Sequence, residues 1–263
     1  MYVEPGVENG PAAGLTTRAR PLPSVVGMTL SLDDTSTQRA VGRFAWVMAW
    51  VGLVVGQVHA LARHATVDGK EDLELAWTAF WAEPAARALR PLLDWGDPDL
   101  VYVTYGKIWF PVFAAFTLAA YVVYRRRRPA GFETWVWRVA LTGYTLASLA
   151  TFVDYWTQWT GEYNALFDLG WLVTLPGFFL TMLGSTALGV TLLLRGFRPR
   201  LPAVLLALVV PLAFVILSVT SMGSAALPVM FAFGILGRRV ARSAEEPAQN
   251  VTVGGVSWPA GAS

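Results

Sequence analysis

Of the ionisable side chains within apolar runs of this chain, Lys107 in YVTYGKIWFPV and Asp154 in LATFVDYWT stand deepest among apolar neighbours. A charge inside a membrane-spanning segment is costly, which makes both positions candidates for function. Lys107 lies seventeen residues above Tyr124, at one boundary of its run, and Asp154 nineteen above Trp135. At helical rise these are roughly 26 and 28 Å, so the two are level. His59, fifteen residues above Phe44, reaches roughly 22 Å, with Gln57 just below it. Lys107 is near the N-terminal end of its helix and Asp154 near the C-terminal end of its own, each at the pole its helix dipole disfavours. Neighbouring antiparallel helices would let each offset the other.

Two readings follow. The pair snorkels to the interface or forms an ion bridge that locks two helices. Replacing Asp154 alone would then harm folding more than replacing both charges with apolar residues. In the other reading Lys107, Asp154, Tyr105, His59 and Gln57 line a polar vestibule where Asp154 binds a cation or proton and Lys107 tunes its protonation.

Other chemistry is poorly provided for. The chain has no cysteine, which excludes disulfides, thiolate metal sites, iron–sulfur clusters, thiol catalysis and palmitoylation. Its two histidines, His59 and His64, stand about 140° apart around a helix and do not grip one metal from one face. His-Glu-x-x-His, the Gly-rich phosphate loop and Gly-x-Ser-x-Gly are all missing. No catalytic residue, metal site or cofactor is therefore expected. Nucleic-acid binding is not indicated, because the basic residues are scattered over separate loops.

The elements that must position the charged residues come from composition and pattern. With 55% hydrophobic and 14% charged residues, the chain is too apolar for an ordinary soluble domain. Apolar runs at about 44–62, 100–124, 135–156, 169–194, 201–219 and 225–237 predict an all-α polytopic membrane protein with six transmembrane helices. All but five of the twenty basic residues fall at alternate ends of these runs or in the N-terminal segment. The anchors are Arg39 and Arg43, the quartet Arg125, Arg126, Arg127 and Arg128, then Arg195, Arg198 and Arg200, and Arg238, Arg239 and Arg242. The opposite ends carry the acids. By the positive-inside rule both termini are cytoplasmic, an N-in/C-in topology expected in a bacterial cytoplasmic membrane.

Tryptophans and tyrosines crowd both boundaries and read as interfacial belts, among them Tyr102, Trp109, Tyr155 and Trp171 at the outer one and Trp135 and Trp137 at the inner one. The outer loop 65–99 reads as two amphipathic helices, 71–82 and a second starting at Pro84, either a plain interfacial cap or a docking surface. Asp34, Asp97 and Asp168 read as helix-start signals. Residues 1–38 and 243–263 read as disordered cytoplasmic tails, with Met28 a candidate true start.

Small residues should mediate packing. Gly52, Gly56 and Ala60 in the first run and Ser185 and Gly189 in the fourth make a plausible contact pair. Pro111, Pro176, Pro211 and Pro228 can kink their helices. A non-enzymatic membrane subunit or scaffold is the leading expectation, with the lipid bilayer and other membrane subunits as partners through the outer loop. The alternatives are a small-solute or ion transporter using the polar cluster, and a membrane-embedded enzyme. A water-accessible funnel reaching Asp154 would favour transport, and a sealed Lys107–Asp154 pair would favour the scaffold.

Overall fold

A computed structural model describes residues 34–159, 164–220 and 222–243; most of both tails, residues 1–33 with Met28 and residues 244–263, lies outside the described residues. The described chain is helical. α1 spans Thr35–Arg63 and a short 3-10 turn covers Glu71–Glu74. Then come α2 (Ala76–Ala88), α3 (Arg90–Leu93), α4 (Pro98–Gly106), α5 (Trp109–Arg127) and α6 (Phe132–Thr151). A π-helical turn at Phe152–Trp156 extends α6. α7 (Ala165–Leu194), α8 (Arg200–Ala207), α9 (Val209–Leu217), a 3-10 turn at Met222–Ala226 and α10 (Leu227–Ser243) complete the order.

Among the described residues five segments are long and apolar enough to cross a membrane: α1, α4 with α5, α6 with its π turn, α7, and the 3-10 turn with α10. The sixth apolar run is a bent pair, α8 and α9, meeting at 59°. Pro211 accounts for the bend, because it cannot donate to the carbonyl four residues back, that of Ala207, where α8 ends. Pro111 acts likewise on the carbonyl of Lys107, which accepts the Trp156 indole N–H at 2.8 Å instead. The α4–α5 break at Lys107–Ile108 follows. Pro228, by contrast, occupies the first turn of α10, where a missing N–H costs nothing.

Caps set several starts. Asp34 accepts from the Thr37 N–H at 3.3 Å and from the Ser36 hydroxyl, so α1 begins inside the segment read as tail. Asp97 accepts from the N–H groups of Asp99 and Leu100. The cap of α7 is Asn164, not Asp168, which lies inside the helix. Pro84 does not start a second loop helix either: α2 runs through it from an extended Leu75.

Successive spans pack antiparallel. Gln38 of α1 meets Arg126 of α5, Thr117 of α5 meets Tyr144 and Ser148 of α6, and Gly143 of α6 abuts Leu180 and Thr181 of α7. α1 and α10 cross where Gly42 lies against the Gly237 carbonyl, too close for any side chain. The core is aromatic: Trp109, Phe116, Trp137, Tyr144 and Phe233 are fully buried. Trp109 and Trp137 are thus core residues, not belt residues, since both lie on helix faces turned to neighbouring helices. The two small-residue stripes do not face each other. Gly52 and Gly56 meet Val112 and Trp109 of α5 and Met230 of α10, Ala60 is fully buried, Ser185 bonds Tyr144 of α6 at 2.9 Å, and Gly189 lies against α8. α1 packs chiefly on α10 and α5, and α7 on α6 and α8, so each stripe serves a different neighbour.

Candidate functional site

The antiparallel order gathers the arginine-rich ends at one pole and the acidic and aromatic ends at the other. Near the second pole a cavity of about 460 Å³ opens between α1, α4, α5, α6 and its π turn, α7 and the segment after α9. That volume suits a small ligand.

One wall is built by α1, α4 and α5. His59 is buried, and its Nδ1 accepts the Trp109 indole N–H at 3.1 Å. An accepting Nδ1 carries no proton, so the ring is neutral with its hydrogen on Nε2, which has no partner. Tyr102 stacks on the imidazole at 4.5 Å and Tyr155 meets its edge at 5.4 Å, the two phenol oxygens lying 3.3 Å apart. Gly56, Gly106 and Gly223 make this packing possible. A Cβ on Gly56 or Gly223 would overlap the Trp109 ring, and one on Gly106 the Tyr155 ring.

The facing wall comes from α6 and α7. The π turn adds a residue to the helical repeat and directs Asp154 towards α7, where Thr174 donates to it at 3.3 Å. Gly170 lets α7 approach this carboxylate closely. Asp154 has no ion-pair partner among the described residues. Beyond Asp154 this wall is apolar, formed by Ala147, Phe178 and Met182 with the buried Thr181 hydroxyl, which has no partner among the described residues, and Phe113 of α5 lies on the other side. At the mouth Arg63 binds Asp72 at 2.9 Å, which neutralises both.

The candidate cluster is therefore divided. His59 and Asp154 line one cavity, while Lys107, Tyr105 and Gln57 do not. Lys107 places its ammonium 3.7 Å from the Trp159 ring centroid, Tyr105 bonds the Leu92 carbonyl at 2.8 Å, and Gln57 is half-buried. The expected Lys107–Asp154 bridge is not formed, because the wide turn carries Asp154 towards α7 while the α4–α5 break leaves Lys107 outside the cavity. Aromatic residues read as belts, Tyr102, Trp109, Tyr155 and Trp171, instead line the cavity. Thr174 and Thr181 were not singled out, although their seven-residue spacing puts both on one face of α7.

The arginine pole holds a second polar centre that the sequence reading overlooked. Glu133, buried at the start of α6, binds Arg127 across the α5–α6 turn and Arg195 at 3.4 Å, and accepts from the Trp137 indole at 3.4 Å. Neither centre offers three metal-ligating side chains, and no such group occurs among the described residues. Comparison with family models, curated proteins and solved structures returned no match.

Proposed function

We propose that this chain is a transporter of small organic cations, crossing the membrane six times with both termini cytoplasmic and its cavity facing outward. The observation that carries the reading is a carboxylate without a cationic partner, Asp154, in an aromatic-walled cavity. Aromatic faces attract ammonium groups, and a lone carboxylate supplies the opposite charge. A divalent metal needs more oxygen ligands than this wall offers. Arg63 does not cancel Asp154, since it is already bound to Asp72.

Three irregularities border the cavity: the α4–α5 break, the π turn and the 3-10 turn at Met222–Ala226. Broken helices around a polar cavity are how many transporters build a site. They favour transport over the scaffold, whose sealed charge pair is not formed. The bent α8–α9 pair counts as one crossing in this reading, and the arginine pole as the cytoplasmic one. α2 leaves Trp77 64% and Phe80 83% exposed, which suits a helix lying in the outer headgroup layer.

Tryptophan fluorescence of the detergent-solubilised protein, titrated with tetramethylammonium, propylammonium, propanol and propionate, tests the proposal. Saturable quenching by the two cations alone is expected. Asp154→Asn should weaken it about tenfold or more, the size of a charge-assisted contact. Equal responses to propanol, or an unchanged Asp154→Asn titration, would overturn it.

A further inference from the structure

The second cavity lies at the opposite pole. It has a volume of about 320 Å³ and is formed by the end of α5, the α7–α8 connection and the last turns of α10. Four guanidinium-bearing residues line it, Arg126, Arg127, Arg198 and Arg239, and none of the described lining residues is acidic. They come from three separate segments of the chain, so local sequence does not bring them together; the packing does.

The four are not equally satisfied. Arg127 is held by Glu133 and lies over the Phe197 ring at 5.0 Å. Arg126 donates to the neutral Gln38 amide at 2.6 Å, which leaves its charge uncompensated. Arg198 and Arg239 have no ion pair among the described residues. Glu133, the carboxylate that pairs with Arg127, is also shared with Arg195. Three like charges thus converge without a counter-charge among the described residues.

Helix dipoles account for part of this, since arginines at the C-terminal ends of α5 and α10 face partial negative charge. They do not account for Arg198, which precedes the N-terminus of α8. Nor does orientation in the membrane require the arginines to share a cavity, because scattered basic residues satisfy the positive-inside rule equally well.

We propose that this cavity is a binding site for a phosphate anion, held by Arg126, Arg198 and Arg239. The guanidinium fork matches the spacing of two phosphate oxygens. The guanidiniums carry the recognition, since α5 and α10 turn their carbonyl ends towards the site. Of the remaining lining, Val123, Phe197, Pro199, Leu236 and Val240 are apolar and Ser243 is polar. A phosphodiester carrying acyl chains uses both halves of this lining, whereas free phosphate uses one. The headgroup of an anionic phospholipid is accordingly the expected source.

Thermal unfolding of the full chain in an uncharged detergent tests the site. Phosphatidylglycerol should raise Tm by about 5 °C at saturating lipid, and phosphatidylcholine by much less. Potassium phosphate against potassium chloride at equal ionic strength forms the second arm; a comparable rise there keeps the phosphate site and assigns it a soluble ligand. The double variant Arg198→Gln/Arg239→Gln should lose the rise, while Arg125→Gln/Arg128→Gln, altered outside the cavity, should keep it. Native mass spectrometry of the unaltered protein should retain one phosphatidylglycerol, a readout that stands if the double variant does not fold. No rise with either phosphate source, or equal loss in both double variants, would overturn the proposal.

Discussion

Asp154 and Glu133 show how differently two carboxylates of one bundle are treated. Glu133 is enclosed by Arg127, Arg195 and the Trp137 indole, so its charge is spent on joining α5, α6 and the end of α7. Asp154 accepts from one threonine hydroxyl and faces a cavity. A buried pair loses heavily when one partner is removed, whereas a carboxylate without a cationic partner does not. Removing Lys107 together with Asp154 therefore offers no rescue over removing Asp154 alone.

His64, just past α1, carries a pH dependence of its own. Burial holds its imidazole below the ordinary value of 6.5, opposed in part by the Gly69 carbonyl at 3.4 Å and by Asp72. The folded loop thus binds a proton less readily than the unfolded chain. Its stability is complete above pH 6.5, falls as acid protonates the unfolded state, and levels off below the folded value. Protection factors across residues 64–72, with the intrinsic pH dependence of exchange divided out, should fall as the pH drops below 6.5, and His64→Gln should flatten that dependence.

At the scale of elements, the prolines were visible in the sequence but their consequences were not. Pro111 and Pro211 each interrupt a helix, and in both cases the break falls at the carbonyl the ring leaves without a donor. Pro176 lies inside an α7 that continues through it, and Pro228 sits where proline is harmless. Which outcome a proline has depends on what else can bond the freed carbonyl. The Trp156 indole does this at Lys107, from a helix distant in sequence.

Helix crossings tell the same story. Gly42, Ala45, Ala49, Gly52 and Gly56 follow one another at intervals of three and four, a continuous small-residue seam. α10 answers with Gly234, Gly237 and Ala241 at matching intervals. The seam is legible in one dimension; its partner is not. Gly42→Val should destabilise the bundle by about 2 kcal/mol or more, since the Gly237 carbonyl occupies the space a side chain needs. Gly96→Ala, with no atom nearer than 4.0 Å to its new Cβ, should melt within about 1 °C of the parent. Detergent melting curves of the two variants decide this.

For the whole molecule, one pole is arginine-rich and the other acidic and aromatic, and the exposed flanks between them carry Val54, Leu172, Phe179, Leu183 and Phe214. Such a girdle is what a lipid-facing surface requires. The proposed orientation makes a direct prediction, aided by the lack of native cysteine. In intact spheroplasts a membrane-impermeant maleimide should label Glu74→Cys in the outer loop and spare Ala130→Cys beside the arginine quartet until the cells are opened. The reverse pattern would turn the molecule over and close the cavity to the outside.

Amino-acid order alone determined that this chain is helical and apolar enough to cross a membrane repeatedly, and that its basic residues fall at alternate helix ends. Hydropathy and charge are summed along the chain and need no knowledge of neighbours. It also marked Asp154 and His59 as costly residues to place in an apolar run. Tertiary structure decided what those residues face. A π turn rotates Asp154 away from the lysine with which it is level, and glycines let three aromatic rings close around His59. Rotation about a helix axis and close approach between helices depend on contacts between residues far apart in sequence. The same dependence gathers arginines from three segments into one cavity.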